Sequence, residues 1–156
     1  MRVFEDFPVG ATFPLGPYAV TREAVIAFAT EFDPQPFHLD EDAARANMLG
    51  GLSASGWHTC AMMMRMMFDA FIDGSSSQGS PGVDFVKWLR PVRPGDVLSG
   101  TMTVREARLS AKRPTLGIAK LSNDLIDQEG QPVLASDYTI LFLTRDAVSA
   151  GGGAAA

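Results

Sequence analysis

The stretch SGWHTCAMMMRMMFDAFIDG, residues 55–74, is apolar on nearly every face, with only Arg65 and Asp69 as charges inside its body. A helix of that kind has to be buried, so the rest of the chain must supply a surface that wraps around it. The Gly/Ser-rich stretch at 74–82 breaks the chain, and a strand-rich half follows. Leu98, Gly100, Met102 and Val104 alternate with Ser99, Thr101 and Thr103; Leu134, Ser136, Tyr138, Ile140 and Phe142 repeat the same period of two. Further strands are expected at 84–91 and 116–126, with RPGD at 93–96 and DQEGQP at 127–132 as turns. The expectation is an α+β chain whose strands follow one another antiparallel and curl around the greasy helix, with the methionines filling the concave face.

Upstream, residues 11–20 read as a strand, and Thr21 is placed to cap a helix carrying Val25, Phe28, Ala29 and Phe32 on one side. Pro34 disfavours helical geometry for the residue before it, so this helix should stop at Phe32 or Asp33, and 33–37 should run extended. A second short helix is expected from Asp40, ending before the glycine pair at 50 and 51.

A chain of 156 residues, 46% hydrophobic, with a mean hydropathy of +0.07, suits one globular domain. We assign it to residues 1–148, leaving the Gly/Ala-rich 149–156 as a disordered tail. A net charge of −5 leaves no basic field for nucleic acid or an anionic membrane surface. The single cysteine, Cys60, excludes an intrachain disulfide and fits a reducing compartment. MRVFEDFPVG has acids where a signal peptide needs an apolar region, and no apolar run reaches a membrane span, so cytoplasm is expected. With two histidines and one cysteine, no metal site is expected.

The segment EFDPQPFHLDEDAA, residues 31–44, sets Asp33 and His38 on a backbone stiffened by two prolines. D-P-Q-P-F-H-L-D, then the small-residue turn S-A-S-G before the apolar helix and later L-R-P-V-R-P-G-D, resembles the MaoC-type dehydratase and (R)-specific enoyl-CoA hydratase family nearly throughout, to about Thr144. The resemblance implies the hot-dog fold, a five-stranded antiparallel sheet wrapped around a long central helix, and a homodimer or higher even oligomer. It also implies an acyl-CoA substrate, with coenzyme A as carrier and no other cofactor. The family signature carries Asn where this chain has Gln35, which keeps the amide. Some hydratases of the family have a serine further along the central helix, where this chain has methionines at 62–64.

The chemistry is consistent on its own terms. Adding water to a double bond conjugated with a thioester takes a base for the water, an acid for the alpha carbon and donors for charge on the carbonyl oxygen. Asp33 and His38 are the titratable pair. Asp33 ends a helix, where the macrodipole should raise its proton affinity if it is also buried. Gly56 heads the central helix, with free N–H groups for an oxyanion; Ser55, Gln35 and Trp57 are its candidate neighbours at the substrate. His58 reads as packing or capping. Arg90, Arg93, Lys112 and Arg113 are candidates for coenzyme A phosphates. Two other readings stay open: a hot-dog acyl-CoA thioesterase, which need not have this Asp-to-His spacing, and a non-catalytic acyl-thioester-binding subunit.

Overall fold

A computed structural model describes residues 1–152. Five antiparallel strands make one sheet: β1 (Thr12–Ala19), β2 (Gly82–Trp88), β3 (Val97–Leu109), β4 (Leu116–Ile126) and β5 (Pro132–Leu143), in the spatial order β1-β3-β4-β5-β2. The last four strands do not lie in simple succession as expected. β2 crosses to the far edge and pairs with β5, Trp88 opposite Leu134 and Gly82 opposite Thr139. Between β1 and β2 run α1 (Arg22–Phe32), α2 (Pro36–Leu39), α3 (Glu41–Arg45) and α4 (Gly56–Met67), the last continuing as a π-helical turn, Phe68–Ile72. This is the hot-dog arrangement.

The strand alternation is realised in burial. Leu98, Met102 and Val104 of β3 and Leu134, Ser136, Tyr138, Ile140 and Phe142 of β5 face α4 and are buried. Met62, Met63, Met66 and Met67 fill the space between helix and sheet, as unbranched and polarisable side chains do well. β1 bends where its register with β3 shifts between Leu15 and Tyr18. Gly16 sits at this bend with φ +82°, and a Cβ there would lie 2.9 Å from Met66 Sδ, so only glycine lets the strand close on the helix.

The helix is not enclosed on all sides. Trp57, Met64 and Phe68 stand exposed along α4 and its π turn, with Trp57 63% exposed. Arg65 and Asp69, 2.8 Å apart, pair on the same open side. One five-stranded sheet covers only one side of a helix, and the expectation of burial all round is not met within one chain.

Thr21 caps α1 as expected, accepting from Ala24 N–H at 3.2 Å. The stretch after it departs from expectation: only 33–35 is extended, because Pro36 starts α2 from its first position, where its missing N–H costs nothing. At the other terminus, α5 (Arg145–Gly152) is helical through the first part of the expected tail, its start capped by Thr144 Oγ1 accepting from Ala147 N–H. Residues 153–156 lie outside the described residues.

Candidate active site

Two segments meet at the N-terminal end of α4. α2 is a single turn, and it directs His38 inward, buried, where its Nδ1 lies 2.8 Å from the carbonyl oxygen of Ser53. A carbonyl only accepts, so Nδ1 carries the proton and Nε2 is left with its lone pair in the neutral ring. Nε2 faces Asp33 Oδ2 at 3.6 Å, beyond hydrogen-bond range. At that spacing the two atoms can share a third group.

Asp33 is held from two sides. Ser55 Oγ donates to Oδ2 at 2.6 Å and Gln35 Nε2 donates to Oδ1 at 2.8 Å. The Ser55 hydroxyl first, the Gln35 amide second and the neighbouring His38 charge hold the carboxyl below its usual range, against the opposing effect of burial. This reverses the expectation of a raised proton affinity. The carboxylate is only partly buried, and donated hydrogen bonds outweigh both desolvation and the helix end.

Gly56 opens α4 and its N–H makes no hydrogen bond among the described residues, while Ser55 caps the helix by accepting from Trp57 N–H at 3.3 Å. The space that a side chain at Gly56 would need is occupied. A Cβ there would come within 2.6 Å of the Trp88 indole, whose Nε1 donates to Gly56 O at 2.8 Å. His38, Gly56, Thr59, Trp88 and Arg90 line one cleft of about 340 Å³. Trp57 lies outside that cleft, edge-on to Trp88 with ring centres 5.5 Å apart. His58 packs rather than caps: its ring stacks on Phe28 at 4.6 Å, and Nδ1 is buried without a partner.

The four basic candidates do not converge. Arg90 reaches the cleft, but its guanidinium pairs with Asp127 at 2.6 Å. Arg93 is spent on the loop before α4, donating to Leu49 O. Lys112 and Arg113 belong to the β3–β4 turn, separated from the cleft end of the sheet by the length of β4, about 30 Å at ~3.3 Å per residue. Among the described residues no three His, Cys, Asp or Glu side chains gather as a metal site would need, and no helix is long and apolar enough to cross a membrane.

Three contributors escaped the sequence reading: the Ser53 carbonyl, Trp88 and Asp127. A backbone acceptor leaves no mark in a sequence. Trp88 read as one more strand residue, and Asp127 as a turn former, which it also is, since it accepts from the N–H groups of Glu129 and Gln131 at 2.9 Å.

A family model described as "MaoC like domain" matches residues 8–123, from before β1 to within β4 and across every residue of the cleft. The chain belongs to the MaoC-like family. It is 39% identical in sequence to a structure described as a MaoC-like dehydratase from Rhodospirillum rubrum, which it matches with a TM-score of 0.85 over 93% of this chain and 99% of that one. An uncharacterised Bacillus subtilis protein, YdeM, is 26% identical over 88% of this chain and 96% of its own length. The R-hydratase PhaJ1 of Pseudomonas aeruginosa shares the fold, with a TM-score of 0.70 over 92% of this chain and 86% of that one, at 19% identity.

Proposed function

We propose that this MaoC-like chain adds water to, or removes it from, the 2,3 position of an enoyl or 3-hydroxyacyl thioester, with coenzyme A as the carrier. The observation that carries this is the facing pair: an ionised Asp33 and an imidazole whose Nδ1–H is fixed by Ser53 O, so that Nε2 points across 3.6 Å at the carboxylate. A water held between them gives a proton to Nε2 as its oxygen bonds C3, and the double-bond electrons move onto the thioester oxygen. Asp33 orients the water and stabilises the imidazolium. The Gly56 N–H, at the positive end of α4 and in the same cleft as His38, receives the oxyanion. The proton on Nε2 then passes to C2, which completes the addition without any change of oxidation state. Every step uses water, two side chains and one backbone N–H, and we assign no bound cofactor to it. The carboxylate of a thioesterase would direct water at the carbonyl itself, and no feature of this cleft favours that over attack at C3.

A panel of enoyl-CoA thioesters, followed for conjugated absorbance and for free thiol, tests the reading. Loss of absorbance without thiol supports it; thiol release marks a thioesterase, and no change with any member marks a binding subunit.

We also propose a homodimer. Trp57, Met64 and Phe68 form an apolar band beside β2, a sheet edge with Val83 and Phe85 exposed, and a second copy of the same surface would cover both. Sedimentation at micromolar concentration should give a dimer or a higher even oligomer; a monomer would rule it out.

A further inference from the structure

A cavity of about 620 Å³ lies on the face of the sheet opposite α4, away from the cleft. The register places it there. Ala107, Ala119 and Ile140 stand in one row across β3, β4 and β5, and Ala119 and Ile140 are buried on the side of α4. Side chains alternate along a strand, so the adjoining row of Arg108, Ile118 and Leu141 points away from the helix. Ile118, Leu141 and Leu116, all half-buried, floor the cavity, and Pro81 closes one side. The volume falls within the range of small-molecule pockets.

Around this apolar floor stand Arg108 of β3, Lys112 and Arg113 of the β3–β4 turn and Lys120 of β4, and of the chain's 18 acidic residues only Glu106 joins them. Lys120 is shared between Glu106 at 3.8 Å and Asp84 at 4.0 Å. No ion pair among the described residues uses Arg108, Lys112 or Arg113. The turn that carries two of them is held in shape: Ser110 Oγ accepts from Arg113 N–H at 3.2 Å, and Ser110 N–H donates to Leu116 O at 2.8 Å. In a chain of net charge −5, three cations without counter-charges around one apolar floor favour an anion there.

We infer that this cavity binds a phosphate-headed amphiphile, its alkyl chain on the floor and its phosphate monoester among Arg108, Lys112 and Arg113. A phosphate monoester carries close to two negative charges at neutral pH and presents several acceptor oxygens, which suits a guanidinium fork with an ammonium beside it. A carboxylate brings one charge to three cations. Bare phosphate leaves the floor to water, and a neutral head leaves the cations unpaired. Among the described residues no Phe, Tyr, Trp or His lines the cavity, so a nucleobase has no ring to stack on. The floor gives an alkyl chain about 13 Å from Lys120 to Leu116, four residues along β4 at ~3.3 Å each. The length of β4 separates this site from the cleft, and the inference does not depend on the hydratase reading.

The test titrates octyl phosphate, octanoate, inorganic phosphate and octyl glucoside calorimetrically into the full chain, each below its micelle concentration. Octyl phosphate should bind about tenfold tighter than octanoate, with inorganic phosphate and octyl glucoside weaker still, since each lacks one half of the ligand. The double variant Lys112→Ala with Arg113→Ala should weaken octyl phosphate about tenfold and leave octyl glucoside unchanged. It should also hold or raise the unliganded Tm, because it relieves repulsion among like charges. Ile118→Thr keeps the branched shape and should weaken octyl phosphate without changing inorganic phosphate. Inorganic phosphate or octyl glucoside binding as tightly as octyl phosphate, octanoate binding tighter, or no binding of octyl phosphate would overturn the inference. So would an octyl phosphate affinity unmoved in the double variant, a fall of several degrees in its Tm, or an oligomer that dissociates in it, the last meaning that a second copy covers this face.

Discussion

The hydroxyl of Ser55 donates to Asp33 Oδ2 at 2.6 Å while accepting from the first turn of α4, so one side chain both caps the central helix and holds the carboxylate proposed to orient the water. The two halves of the site, far apart in sequence, are coupled through it.

Ser55→Ala separates these roles. Losing the cap should lower stability by about 1 kcal/mol, read as a fall in Tm. Ser55 is also the largest cause of Asp33's depressed proton affinity. In the parent protein the stabilisation from ionised Asp33 is complete above the unfolded carboxylate value and is lost as pH falls through the lower folded one. Without Ser55 the folded value rises toward the ordinary range, so the acid limb of the kcat/KM profile should move to higher pH. An unmoved limb would show that Asp33 ionisation does not control the reaction.

Asp33→Asn keeps the shape and removes the ionised oxygen, and His38→Ala removes the base. Each should lower kcat on the preferred enoyl-CoA by on the order of 10²–10⁴. Groups that act as one unit are non-additive, so the double variant should be little worse than the poorer single one. Gln35→Asn should be mild, since it retains the amide that donates to Asp33 Oδ1. Near-normal kcat in folded Asp33→Asn and His38→Ala would return residues 31–44 to a proline-stiffened turn.

Much of this was legible because it is local. The Thr21 cap, the stop before Pro34 and the alternation on β3 and β5 depend on neighbours within a few residues, and so did the Asp33–His38 pairing. What was not legible depends on tertiary context. The crossing of β2 to pair with β5 leaves no sequence mark. The sense of the Asp33 shift was misjudged because the helix end was visible and the Ser55 donor, twenty-two residues on, was not. Lys112 and Arg113 looked equivalent to Arg90 until the length of β4 separated them.

His58 gives the fold a pH dependence of its own. Burial against Phe28 lowers its proton affinity, so the unfolded chain takes up a proton near the ordinary histidine value, about 6.5, while the folded chain resists. Stability should therefore be full above that value and decline as pH falls below it toward the depressed folded value, by at most about 1.4 kcal/mol per pH unit. His58→Phe keeps a ring for Phe28 and removes the titration, so urea midpoints between pH 7 and 5 should fall less steeply than in the parent. Parallel slopes would show that the ring is protonated without cost.

The contact between Gly56 and Trp88 makes the sharpest steric prediction. Gly56→Ala places a methyl 2.6 Å from Trp88 Cε2 and 2.9 Å from Nε1, so the indole has to move and its bond to Gly56 O is lost. Overpacking of this order costs about 1–3 kcal/mol. The same shift disturbs the N–H proposed for the oxyanion, so kcat should fall with little change in KM. Trp88→Leu removes the obstacle. If the clash is the cause, Gly56→Ala in the Trp88→Leu background should cost much less stability than in the parent, and a double-mutant cycle should return a coupling of 0.5 kcal/mol or more, roughly the threshold for residues in contact. Strict additivity would mean that Gly56 is required for some reason other than the indole lying against it.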